Sequence, residues 1–94
     1  MDNATDGDRV SLGSDLRIGS VAELRGRLDA AAGGGRPLAI DASEITKIDA
    51  AGLQLLAATA VRFRTAGVAW RWHNPSAALV GAAQVLGLDG ALEL

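Results

Sequence analysis

Cysteine is absent from this chain of 94 residues. That excludes a disulfide framework, a thiolate metal site and a cysteine nucleophile, and it leaves no redox clue to compartment. Aromatics are almost as scarce, with two tryptophans, one phenylalanine and no tyrosine. The core must therefore be built from Leu, Ala, Val and Ile, whose small volumes let helices sit close to a sheet. Neither sign of charge dominates: nine basic and eleven acidic side chains, spread along the chain, give a net charge of -2. No electrostatic footprint for nucleic acid or an anionic membrane results. Long apolar runs are missing too. The longest, residues 53–61, is broken by Gln54 and Thr59 and falls far short of the ~20 residues of a membrane span. Residues 1–9, MDNATDGDR, lack the basic start and apolar stretch of a secretory signal. A soluble, cytoplasmic protein with no direct membrane insertion is the expectation.

What is present is a globular balance, 49% hydrophobic and 21% charged, in a length that suits one domain. Residues 1–8 are expected to form a flexible tail and residues 9–94 the domain. Val10, Leu12, Leu16 and Ile18 alternate loosely around Gly13-Ser14-Asp15, the pattern of a strand with a hairpin turn or bulge. Ser20 followed by Glu23 has the spacing of a capping box. Val21, Leu24, Leu28 and Ala31 then share one helical face until Gly33-Gly34-Gly35, so a helix is predicted over residues 20–32. The glycines follow a helix and precede a strand, the reverse of a phosphate-cradling loop.

The run PLAIDAS, from Pro37 to Ser43, reads as a central strand buried on both faces. The polar stretch EITKID leads to a second helix, predicted over residues 50–66, with Leu53, Leu56, Ala57, Ala60 and Phe63 inward and Gly67 as its stop. VAWRWH alternates Val68, Trp70 and Trp72 against Ala69, Arg71 and His73, a half-buried edge strand. Asn74-Pro75 offers a cap and a first-turn proline for a third helix over residues 75–87, with Leu79, Val80, Ala83 and Leu86 inward. LDGALEL adds a last short strand or a docked tail. The order β, α, β, α, β, α predicts right-handed crossovers and a mostly parallel sheet of about four to five strands packed by about three helices.

No catalytic constellation stands out. His73 is the sole histidine, and no nucleophile pattern surrounds it. Asp41, Asp49 and His73 make up the rival reading of a small enzyme, but Asp41 ends a buried strand and Asp49 suits the N-cap of the second helix. Trp70 and Trp72 suit core packing or a protein contact better than base stacking, since no basic groove accompanies them. No metal or cofactor is expected.

The strand ending in Asp41, the Ile48-Asp49-Ala50-Ala51-Gly52-Leu53 junction and the late Leu86-Gly87-Leu88, in that order and spacing, together resemble the STAS domain of bacterial anti-sigma-factor antagonists. The similarity runs from about Val10 to the C-terminus. It implies a non-catalytic module of signal transduction that docks a partner protein through the loop and N-terminus of the second helix. The expected docking residues are Ser43, Glu44, Thr46, Lys47, Asp49, Ala50, Gly52 and Gln54, with Asp15 and Arg17 beside them. In phospho-regulated members the residue after the junction aspartate is a Ser or Thr, phosphorylated by a kinase that is also the anti-sigma factor. Here that position is Ala50, followed by Ala51, so neither can accept phosphate. Ser43 and Thr46 are the displaced acceptors to consider. The resemblance implies an anti-sigma factor or serine kinase, a chemotaxis kinase, or the ATPase of a lipid-trafficking ABC transporter as partner, with the chain itself a monomer or weak dimer.

Overall fold

The computed structural model describes residues 8–94; the expected tail lies outside them except for Asp8, which opens the first strand. Five strands, β1 (Asp8–Ser11), β2 (Asp15–Leu16), β3 (Leu38–Asp41), β4 (Lys47–Ile48) and β5 (Trp70–His73), alternate with four helices, α1 (Val21–Ala32), α2 (Ala50–Ala66), α3 (Ala77–Val85) and α4 (Asp89–Leu92). They form two parallel ladders, β1-β3-β5 and β2-β4. The expected parallel α/β domain is present, with β3 central and β5 at an edge.

Of the hairpin or bulged strand expected near residues 10–18, neither forms. Gly13 turns the chain at φ 71°, so β1 and β2 leave it to pair with different partners, Asp8 to Ser11 with Leu38 to Asp41 and Asp15 to Leu16 with Lys47 to Ile48. Lys47 and Ile48, read from sequence as part of a polar connection, are thereby a strand. Such a two-residue ladder exists only through its pairing, so local composition carries little trace of it.

Burial follows the helical periods. Leu24 and Leu28 of α1 and Leu53, Leu56, Ala60 and Phe63 of α2 pack with Val10, Leu12, Leu16, Leu38, Ile40 and Ile45 into one core. Burying each large aliphatic side chain contributes about 1.5–3 kcal/mol. Trp70 and Trp72 sit against α2, beside Ile40, Leu56 and Phe63. Their rings meet edge-to-face at 5.5 Å and 87°, and Trp72 Nε1 donates to the carbonyl of Leu92 at 2.8 Å.

Three local expectations are corrected. Ser20 is the N-cap of α1, yet its side chain makes no cap bond. Its N–H is tied to the carbonyl of Arg17 in a 3-10 turn over Ile18–Ser20, and its helical backbone departs from the extended cap conformation. Glu23 instead faces Arg27 at 3.5 Å. The third helix starts at Ala77, not at Pro75: Ser76 is the cap, its Oγ accepting from the N–H of Leu79 at 3.1 Å. Asn74 occupies the left-handed region at φ 50°, and Ser76 N–H donates to the carbonyl of Ala42, so attachment to the end of β3 selects the cap. Finally, the C-terminal LDGALEL is neither strand nor tail; it forms α4, with Leu92 fully buried.

Candidate functional site

The junction between β4 and α2 is organised by Asp49. Its extended backbone, φ -135° and ψ 177°, aims the carboxylate back over the first helical turn. Oδ1 accepts from the N–H of Gly52 at 3.0 Å, and Oδ2 accepts from the N–H of Ile18 at 2.9 Å. One side chain thus caps α2 and also ties it to the segment following β2. The N–H of Ile18 foremost, then that of Gly52, hold the Asp49 carboxyl below its ordinary range, because both bonds favour the ionised form.

Gly52 explains the closeness of this joint. A Cβ there would lie 2.0 Å from the carbonyl oxygen of Leu16 and 2.7 Å from its Cγ, so only glycine lets α2 settle on β2. Gly52 is buried and its N–H is spent on Asp49. It belongs to the expected patch by position; its own surface faces the core. Gly52, expected from the resemblance as a docking residue, has a packing role here: the Leu16 carbonyl occupies the space a side chain would need.

Around the joint the other patch residues face outward. Ser43, Glu44, Thr46, Lys47, Ala50 and Gln54 are exposed, and Asp49 is half-buried. The loop is anchored from beneath: Ile45 is buried, and the N–H groups of Thr46 and Lys47 both donate to the carbonyl of Ser14. Asp15 lies in register with Lys47 across the β2-β4 ladder, and Arg17 grips its carboxylate with Nε at 2.9 Å and Nη2 at 3.0 Å. That paired hydrogen bond is the main cause of the lowered Asp15 pKa. Asp15 and Arg17 therefore adjoin the patch as expected.

The structure adds residues that the sequence reading did not place here. An open groove of about 290 Å³ runs from Ile48, Asp49, Ala50 and Leu53 of the junction to Gly81, Ala82, Val85 and Leu86 on and beyond α3. Leu86, expected to point inward, is 51% exposed and Val85 is 85% exposed. The cause lies in where α3 ends: the N–H of Leu88 returns to the carbonyl of Ala83, turning the chain so that Leu88, rather than Leu86, packs against the core. The lack of any charged residue in α3, AALVGAAQV, was the available signal.

The rival catalytic trio does not assemble. Asp41 and His73 are register partners on β3 and β5, but Asp49 lies on the other ladder's side, held by Ile18 and Gly52. Asp41 accepts from Ser43 Oγ at 2.7 Å and from Ser43 N–H at 3.0 Å, and these bonds, the hydroxyl's first, lower its pKa. Among the described residues no group of three or more His, Cys, Asp or Glu side chains is placed to hold a metal ion.

The family model described as "Mlab, STAS domain" matches residues 1–94. The chain belongs to the STAS domain family. A sulfate transporter family protein from Wolinella succinogenes shares the fold, with a TM-score of 0.73 over 93% of this chain and 71% of that one, at 20% identity. No curated protein matches the chain. Membership carries the coarse function with it: a STAS domain is an interaction and regulatory module, and no described helix of this one is long and apolar enough to cross a membrane.

Proposed function

We propose that this STAS domain is a non-catalytic docking module that receives a partner protein on the loop and N-terminus of α2, with no phosphorylation switch at that site. The observation that carries the reading is the continuity of one exposed surface. The rim of Ser43, Glu44, Thr46, Lys47, Asp49, Ala50 and Gln54, underlain by the buried Gly52, meets a mostly apolar groove in which Val85 and Leu86 stand out to solvent. A polar rim around an apolar centre is the usual anatomy of a protein interface. Large apolar side chains grouped on a small domain mark contact sites more often than chance exposure does.

Ala50 fixes the regulatory half of the reading. It occupies the first position of α2 beyond the Asp49 cap, where a phosphate would meet the helix dipole but also the Asp49 carboxylate. Without a hydroxyl at Ala50, that position keeps one charge state. Partners of the kinds the resemblance implies are a serine kinase that doubles as anti-sigma factor, a chemotaxis kinase, or the ATPase of a lipid-trafficking ABC transporter.

The test is a titration of such purified partners from the same genome against the chain. Lys47→Glu combined with Gln54→Arg should weaken the cognate complex by about tenfold or more, with the unfolding midpoint unchanged. An unaltered affinity removes the patch. Incubation with ATP and the kinase should leave the chain unmodified, and Ala50→Ser should create an acceptor. Stoichiometric phosphate on Ser43 or Thr46 of the unaltered chain would refute the unswitched reading.

A further inference from the structure

A second recognition surface lies on the face of the β1-β3-β5 ladder turned away from the helices. Val10, Ile40 and Trp72 share one register row and face the core. Arg9, Ala39 and Arg71 form the next row, and Ser11, Asp41 and His73 the row two residues on. Side chains alternate across a sheet, so these two rows stand on the opposite face. Arg9, Ser11 and Arg71 are exposed.

The arginines of this face are unusual in the molecule. Arg17, Arg25, Arg27, Arg36, Arg62 and Arg64 each meet a carboxylate in an ion pair. Arg9 and Arg71 have no ion-pair partner among the described residues, and the charge of Arg9 reaches Asp41. They flank Ala39 at equal register, two interstrand spacings apart, or about 10 Å between Cα atoms. Ala39 between them contributes only a methyl group and is itself buried, at 7% exposure, so what this row offers a partner is the pair of exposed guanidinium groups. A carboxylate placed between them offers planar oxygens to two planar forks.

We propose that this face binds an extended segment of a partner protein carrying an acidic residue over the Arg9–Arg71 row and a basic or hydroxyl residue two positions along, over Asp41. The pattern follows from the rows themselves. They are about 6.6 Å apart, the i to i+2 repeat of an extended chain, and their charges differ: two arginines in one row, an ionised carboxylate in the other. Nucleic acid and anionic lipid surfaces present unbroken negative charge, which Asp41 and the net charge of -2 oppose. A flat sheet face without walls does not strip water from a small free anion, so inorganic phosphate is the weaker fit. This surface is independent of the α2 patch and stands whether or not that patch docks a partner.

The experiment follows amide resonances of the isotopically labelled full chain. The probe is an extended peptide of sequence Gly-Thr-Glu-Thr-Lys-Thr-Gly with blocked ends. It should shift Arg9, Ala39, Arg71 and His73 with a Kd in the millimolar range, on the order of 1 mM. Replacing its Glu by Gln should weaken it about fivefold, and Arg9→Gln with Arg71→Gln should weaken it about tenfold, while Lys47→Glu leaves it unchanged. Both arginines are exposed, so the double variant is expected to fold, which its unfolding midpoint checks. The proposal is overturned by an absence of shifts up to about 10 mM peptide, by equal binding of the Gln peptide, or by retained binding in the double variant. Equal shifts with inorganic phosphate, phosphatidylglycerol vesicles or a single-stranded oligonucleotide overturn it in favour of those ligands.

Discussion

Gly52→Ala tests the central packing argument, because two principles predict opposite signs. In an unencumbered helix interior alanine is favoured over glycine by about 1 kcal/mol. At Gly52 the added Cβ would lie 2.0 Å from the Leu16 carbonyl oxygen, and restoring ordinary contact requires α2 and β2 to separate by roughly 1.4 Å. The obstacle is backbone, so no rotamer change relieves it. The Leu16 carbonyl also accepts from the N–H of Asp49 at 3.2 Å, and the next bond along is Ile18 N–H to Asp49 Oδ2. Separation strains both. Overpacking of this kind costs about 1–3 kcal/mol and occasionally more, and a weakened backbone bond adds about 1 kcal/mol. Set against the propensity gain, the net destabilisation is about 1–3 kcal/mol. For a domain of this size that lowers Tm by roughly 5–20 °C. Gly26→Ala is the paired control: Gly26 lies within α1 and its Cβ would meet nothing within 4 Å. It should stabilise by about 0.5–1 kcal/mol. Thermal unfolding of the two variants followed by circular dichroism reads both signs. A Gly52→Ala protein as stable as the parent would refute the close approach of α2 to β2.

Acid should unlock the same joint. The Asp49 carboxyl has a lowered folded pKa, so its stabilising effect is complete above the ordinary aspartate value of 3.8 and is lost as pH falls through the folded value. Urea midpoints measured from pH 6 to pH 2 should fall less steeply in Asp49→Asn than in the parent; parallel curves would show that the carboxylate's bonds to Ile18 and Gly52 contribute nothing. Cap assignment gives a separate comparison. Ser76→Ala removes the side-chain bond to Leu79 N–H and should cost about 1 kcal/mol, whereas Ser20→Ala, which removes no cap bond, should cost under about 0.5 kcal/mol. Equal losses on urea unfolding would contradict the distinction between the two serines.

Where structure was dictated by neighbours in sequence, it was legible without coordinates. Asp49 at the start of α2 and Gly67 at its end, at φ 74° in the left-handed region, act within one helical turn, so the limits of α2 were readable to the residue. The inward faces of α1 and α2 follow from helical spacing. The central position of β3 follows from an apolar run between two crossover helices. The polar stretch from Ser43 to Thr46, exposed except at Ile45, was likewise visible. What the sequence misassigned was decided by partners remote along the chain. Lys47 and Ile48 are a strand because Asp15 and Leu16 lie beside them. Ser76 rather than Asn74 caps α3 because its N–H reaches the carbonyl of Ala42.

The site divides in the same way. Its polar members and the missing hydroxyl at Ala50 were determined by the sequence alone, since side-chain chemistry is fixed when the residue is. Two features needed the tertiary structure. Val85 and Leu86 became part of the surface only because the turn after α3 sends Leu88 inward and leaves them out. Gly52 shows the same dependence. Its sequence neighbours mark a helix start and nothing more; the requirement for glycine comes from the carbonyl of Leu16, which chain folding alone brings to within an atom's width of that helix.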